Sequence, residues 1–113
     1  MHQPVAASLA DFAAVLLVGA RQVGKSTLAA QLVEEGILVA NTTLDDAAVL
    51  AAALSDPQGF VAGLAHGTAI DEVQRVPDLL RAIKLAIDRD RQRGRFLLTG
   101  SANVLSLPTT TES

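Results

Sequence analysis

The residues best suited to bind phosphate lie in one short stretch, Gly-Ala-Arg-Gln-Val-Gly-Lys-Ser-Thr at 19–27. Its spacing matches the Walker A pattern G-x-x-x-x-G-K-[ST], whose glycines let the backbone approach phosphate oxygens closely. The N–H groups of such a loop and of the helix after it point at one anion. Lys25 adds a charge that can reach the β- and γ-phosphates, and Ser26 adds a hydroxyl for Mg²⁺. We assign nucleotide binding to the whole stretch: Gly19, Ala20, Arg21, Gln22, Val23, Gly24, Lys25, Ser26 and Thr27.

A second candidate is Ala-Ile-Asp-Glu at 69–72, where an apolar run ends in two carboxylates. Downstream of a Walker A stretch, this pattern is typical of Walker B, with ligands at the carboxyl end of the strand. Asp71 would hold Mg²⁺ directly or through water, because Mg²⁺ prefers few carboxylates with phosphates and waters. Glu72 would orient and deprotonate the attacking water. The alternative, a solvated strand end, stays open.

The third candidate is the polar end of a later apolar run, Phe-Leu-Leu-Thr-Gly-Ser-Ala-Asn at 96–103. A hydroxyl at the end of a strand beside the acidic pair can sense the γ-phosphate and help hold the water. Ser101 is the first choice for this role and Thr99 the second. A helix cap or a plain turn is the alternative.

Strands and helices alternate along the chain that must position these residues. Apolar or β-branched runs predict strands at 13–18, 37–40, 68–72 and 95–99, after a helical turn at 5–10. Apolar periodicity and end signals predict helices at 25–35, 47–54, 57–64 and 77–92, with Asp56 as N-cap before Pro57. The alternation favours an α/β sandwich with a mainly parallel sheet.

The composition limits the classes of protein that are compatible with the chain. Its 113 residues allow one domain, and 50% hydrophobic with 3% aromatic residues predicts an aliphatic core. The net charge of −3 gives no general attraction to nucleic acid or anionic lipid. There is no cysteine for a disulfide or a thiolate metal site. No apolar run reaches the ~18 residues of a membrane span, so we expect no membrane partner.

Six basic residues follow one another closely around the end of the longest predicted helix. We interpret them as a solvated face whose cations suit a helix C-terminus. A nucleic-acid or protein contact is the alternative, weakened by the lack of interleaved aromatic residues. The residues are Arg81, Lys84, Arg89, Arg91, Arg93 and Arg95.

Several segments, in this order, resemble a known family. They are the stretch at 19–27, Leu-Asp-Asp at 44–46, Asp-Pro-Gln-Gly-Phe at 56–60, Asp-Glu-Val-Gln-Arg-Val-Pro-Asp-Leu-Leu at 71–80 and Leu-Thr-Gly-Ser-Ala at 98–102. The series is similar to the AAA+-type ATPase domain of a prokaryotic family that joins it to a C-terminal domain of unknown function. The resemblance implies a P-loop NTPase three-layer sandwich, ATP with Mg²⁺, a cytoplasmic setting, and the roles given above for Lys25, Ser26, Asp71, Glu72 and Ser101.

The departures from the family pattern lead to further expectations. Such proteins are several times longer, so residues 1–107 are expected to form a truncated domain of about four strands, with 108–113 as a disordered tail. The missing fifth strand would leave 13–18 as a sheet edge open to self-association or to a protein partner. No candidate for the family's later arginines is present, so hydrolysis by this chain alone would be weak or absent. A non-functional or partner-dependent fragment and a small-molecule kinase are the alternatives.

Overall fold

The computed structural model describes residues 2–18 and 25–100 of the chain. In that part the helices are α1 (His2–Asp11), α2 (Lys25–Glu34), α3 (Ala47–Ser55), α4 (Pro57–Ala62) and α5 (Pro77–Arg89). The strands are β1 (Ala14–Val18), β2 (Ala40–Thr43), β3 (Thr68–Asp71) and β4 (Phe96–Gly100), and a short 3₁₀ turn covers Val73–Arg75. None of the helices in this part is long and apolar enough to cross a membrane.

The four strands form one parallel sheet in the order β1-β4-β3-β2. Parallel neighbours need crossover connections, which the helices supply here. Since all strands run the same way, their carboxyl ends meet at a single edge of the sheet. The register pairs Leu17 with Thr99 and Thr43 with Asp71, so polar residues from β2, β3 and β4 come to that edge together.

Helices cover the sheet on both faces and make two separate cores. Ala69 and Leu97 face one core, which contains side chains of α1 and α2 such as Leu9 and Leu32. The alternate residues Ile70 and Leu98 face the other core, built with α3, α4 and α5. Side chains of a strand point alternately to opposite faces, and both faces are apolar here because both are covered. The predicted three-layer α/β sandwich with a parallel sheet of about four strands is confirmed.

The helix starts follow from local sequence. Asp56 is the N-cap of α4, as predicted, and its Oδ1 accepts a hydrogen bond from Gly59 N at 3.0 Å. Asp46 caps α3 in the same manner by accepting from Ala48 N and Val49 N. These carboxylates satisfy donors that the first turn of a helix leaves without partners.

The predicted second strand is displaced. The apolar segment 37–40 was expected to be the strand, whereas β2 is Ala40–Thr43 and contains mainly polar residues. Gly36, at φ +81°, ends α2, and the N–H groups of Ile37 and Leu38 both donate to Leu32 O. The apolar residues of this turn therefore end the helix, and Leu38 is buried in the core that α1 and α2 form with the sheet. The strand begins only at Ala40, where the chain pairs with Thr68 of β3.

Arg95 does not belong to the solvated basic face. It is 8% exposed, and its guanidinium Nη1 donates to Ala86 O at 2.8 Å and to Asp90 O at 2.9 Å. The guanidinium carbon lies 5.1 Å from the centre of the Phe96 ring. Arg95 thus closes the C-terminal end of α5 from the start of β4, since a cation is favourable beside those last carbonyl groups.

Candidate functional site

The predicted phosphate loop connects β1 to α2. Val18 ends the strand and Lys25 begins the helix. Residues 19–24 lie outside the described part of the chain. The side chains of Lys25 and Ser26 lie outside it as well, so the roles predicted for them stay predictions. Thr27 is exposed in the first turn of α2. A strand that ends six residues before a ten-residue helix begins is the setting that a phosphate loop requires.

Asp71 and Thr99 meet at the carboxyl edge of the sheet. Asp71 is the last residue of β3 and is half-buried, and Thr99 of β4 is 1% exposed. Thr99 Oγ1 donates a hydrogen bond to Asp71 Oδ1. The contact exists because β4 lies between β1 and β3, although 28 residues separate the two in sequence. Of the two hydroxyls considered, Thr99 makes this contact, while Ser101 lies outside the described residues.

Glu72 leaves the strand in an unusual backbone conformation. Its φ of 60° and ψ of 46° put it in the left-handed region. No other non-glycine residue in the described part of the chain has a positive φ. An extended Glu72 would continue the strand alternation and point away from the face that Asp71 shares with Ala69. The left-handed residue ends that alternation and begins the 3₁₀ turn. Gln74 Nε2 then donates to Glu72 Oε1 at 2.7 Å.

A cavity of about 360 Å³ opens beside Asp71 and Thr99. It lies between α2 and the ends of β2 and β3, with Asp46 at the start of α3 completing the wall. The volume is in the range of small-ligand sites, and its lining mixes carboxylates and hydroxyls with a few apolar groups. The lining residues are Ala29, Asn41, Thr42, Thr43, Asp46, Val49, Ala69, Asp71 and Thr99.

The turn after Glu72 is tied to the loop that follows β2. Arg75 Nε lies 2.6 Å from Asp45 Oδ1 in an ion pair whose side chains are about half exposed. Asp45 N in turn donates to Thr43 Oγ1 at 3.1 Å. Val73 and Val76 are almost completely buried and pack the turn against the core formed with α3, α4 and α5. The acidic pair, its turn and the cavity wall therefore form one connected unit.

Sequence reasoning missed part of this unit. Asn41, Thr43 and Asp46, which line the cavity, and Gln74, which contacts Glu72, were not among the predicted site residues. A signal for the cavity wall was available in the β-branched pair at 42–43, since Thr suits strands. The Arg75–Asp45 contact had no local signal, because it joins residues that only the strand order brings together.

No group of three or more His, Asp or Glu side chains in the described residues could by itself hold a metal ion. Asp71 is the predicted metal ligand that the described part of this edge contains, and phosphate oxygens and water could join it there. That donor set suits Mg²⁺, which keeps several waters and takes one or two carboxylates.

Comparison with known proteins agrees with this architecture. An uncharacterized protein of Mycobacterium bovis is 42% identical to the chain over 90 residues, which are 79% of this chain and 20% of that protein. An uncharacterized protein of Mycobacterium tuberculosis matches with the same identity and coverage, so the chain spans about a fifth of these relatives' length. No solved structure gives a significant match. The family described as an AAA domain matches residues 11–113, and the chain belongs to this family.

Proposed function

We propose that this chain binds ATP with Mg²⁺ at the carboxyl edge of its sheet, and that it hydrolyses ATP weakly or not at all on its own. Membership of the AAA domain family supports a P-loop ATPase-like nucleotide-binding domain. The observation that favours the specific site is the Thr99–Asp71 contact between β4, which pairs with β1, and β3, the next strand of the sheet. The Asp71 carboxylate thus lies at the same carboxyl edge as the end of β1, one strand away from it, which supports a metal bound to phosphate at this edge.

The proposed roles follow the chemistry of each residue. The backbone of 19–24 and the N-terminus of α2 would bind the phosphates, with Thr27 completing the first turn. Lys25 would contact the β- and γ-phosphates, and Ser26 and Asp71 would hold Mg²⁺, which neutralises phosphate charge when bound. Thr99 keeps the Asp71 carboxylate in place, and Ser101 remains a candidate for sensing the γ-phosphate.

Glu72 would serve as the general base. A water oxygen forms the new bond to the γ-phosphorus while the bond to the bridging oxygen of ADP breaks, and the proton of the water passes to the Glu72 carboxylate. Slow hydrolysis is proposed from the sequence-based expectation that the family's later arginines, whose stabilisation of transferred charge contributes about 10³- to 10⁵-fold elsewhere, have no counterpart among these residues.

Further proposals concern the setting of the domain. We propose that residues 1–107 form the ATPase-like domain, with 108–113 outside its core, and that the protein works in the cytoplasm. We also propose that the open edge of β1 pairs with another copy or a protein partner. Among the described strands β1 is the end of the sheet and contacts only β4. Its residues, Ala-Val-Leu-Leu-Val, include no charge or proline that would discourage pairing.

Calorimetric titration with ATP, with and without Mg²⁺, tests the proposal. Lys25→Ala should weaken binding about ten- to hundred-fold, because a charge-assisted phosphate bond contributes about 1.5–3 kcal/mol. Lys84→Ala is a matched control, since Lys84 is the other lysine of the chain and lies exposed on α5. Equal affinities for the parent and the Lys25 variant would show that the loop does not bind ATP. Phosphate release without an added acceptor would distinguish an ATPase from a small-molecule kinase.

A further inference from the structure

A polar contact between two side chains lies in the turn that follows the acidic pair. Gln74 Nε2 donates to Glu72 Oε1 at 2.7 Å, and both side chains are half-buried. The two residues are only two positions apart, so the bond encloses a small loop of backbone. The bond does not satisfy a helix end, because the 3₁₀ turn after Glu72 has no side-chain cap.

The backbone under this contact is strained. A left-handed conformation is unfavourable for a non-glycine residue and persists only where the surrounding structure imposes it. Here the surroundings do impose it. Val73 and Val76 are buried, Arg75 N donates to Glu72 O at 3.1 Å, and Arg75 pairs with Asp45. Such strain concentrates at functional sites, where it aims a side chain that a relaxed backbone would send elsewhere.

We infer that Gln74 is a positioning residue for Glu72, its amide holding the carboxylate in the orientation from which Glu72 accepts a proton from water. This inference rests on the proposed function. The left-handed backbone sets the direction in which the Glu72 side chain leaves the strand. The Gln74 amide removes the remaining freedom of the carboxylate, which otherwise rotates about three side-chain bonds. The carboxylate is then placed before nucleotide arrives, which reduces the ordering needed for reaction.

A purely structural contact would give a different pattern of effects. A turn cap would contribute to the stability of 72–76 and would not change turnover in a folded protein. A positioning residue would change turnover while leaving nucleotide affinity and melting temperature close to those of the parent. Gln58 provides a matched control, because it is an exposed glutamine on α4, away from the acidic pair.

The first measurement is direct observation of the contact. In a ¹³C NMR spectrum the Glu72 carboxyl carbon, assigned by its loss in Glu72→Gln, should shift in Gln74→Ala and should not shift in Gln58→Ala. Glu34 is exposed on α2 and serves as an internal reference. An unchanged Glu72 resonance in Gln74→Ala would overturn the inference, because the carboxylate would not be held by the amide.

The second measurement is single-turnover hydrolysis of Mg-ATP together with the binding constant. Gln74→Ala should lower the rate about ten- to hundred-fold, as expected for a misplaced catalytic group, with the Kd for ATP unchanged. Gln74→Asn, which keeps the amide on a shorter side chain, should recover part of the rate, and Gln58→Ala should behave as the parent. A full rate in Gln74→Ala would overturn the inference.

The outcomes separate this inference from the proposal on which it rests. A parent protein that does not bind ATP would overturn both the proposed function and the role of Gln74. A parent that binds ATP but does not hydrolyse it, or whose rate survives Glu72→Gln, would overturn the role of Gln74 and leave nucleotide binding in place. Loss of rate in Gln74→Ala together with an equal loss of affinity would also overturn it, because the residue would then act on binding.

Discussion

The contact between Thr99 and Asp71 gives the most quantitative prediction for this site. Thr99→Val removes the hydroxyl that donates to Asp71 Oδ1 and keeps the branched shape of the side chain. Thr99 is 1% exposed on a strand with neighbours on both sides, so the valine should fit without moving the backbone. The substitution therefore isolates the hydrogen bond.

The change in stability caused by Thr99→Val follows from two opposing effects. A hydrogen bond to a charged acceptor contributes about 1.5–3 kcal/mol to stability. The half-buried Asp71 can recover part of this from water, and burying a methyl group in place of the hydroxyl returns up to about 0.8 kcal/mol. We expect a net destabilisation of about 1–2 kcal/mol. For a chain of this size that lowers the melting temperature by roughly 4–8 °C.

Urea and thermal unfolding would measure the effect, and a double-mutant cycle with Asp71→Ala would assign it. The cycle should show a coupling of at least about 0.5 kcal/mol between the two residues, as expected for groups in direct contact. Thr99→Ser retains the hydroxyl and is the matched control, since it should keep the coupling. A Thr99→Val protein as stable as the parent, with no coupling to Asp71, would refute the contact and its place in the proposed metal site.

Three further predictions concern other parts of the structure. Arg95→Ala should destabilise the protein by about 2–4 kcal/mol in urea unfolding, because it removes two hydrogen bonds at the end of α5 and leaves a cavity. Arg93→Ala is the control, since Arg93 is exposed. An equal loss of stability in the two variants would contradict the buried role of Arg95. Arg75→Ala should cost no more than about 1 kcal/mol, because its pair with Asp45 is half exposed; a larger loss of stability would mean that the turn depends on this pair. Sedimentation at micromolar concentration should show self-association through the β1 edge, and a monomer at every concentration would contradict the open edge.

The elements around the site could largely be predicted because their signals are local. The Asp56–Pro57 start of α4 and the apolar strand before Asp71 depend on neighbours within a few residues. The helix starting at Pro77 was also predicted, although its end at Arg89 comes earlier than expected. The second strand was misplaced because apolar residues can serve a helix terminus as well as a strand. Local pattern does not distinguish the two uses at 37–40.

The sequence by itself determined the types of residue available for chemistry and the alternation of strands and helices that carries them. Hydrogen-bonding capacity, charge and apolar periodicity belong to each residue and its near neighbours, so no fold is needed to interpret them. Only the tertiary structure decided that Thr99 lies against Asp71, that Asp45 meets Arg75, and that Arg95 is buried rather than solvated. The first two contacts depend on the strand order β1-β4-β3-β2, which brings together residues far apart in the chain, and the third depends on the packing of the end of α5 against the residue that precedes β4.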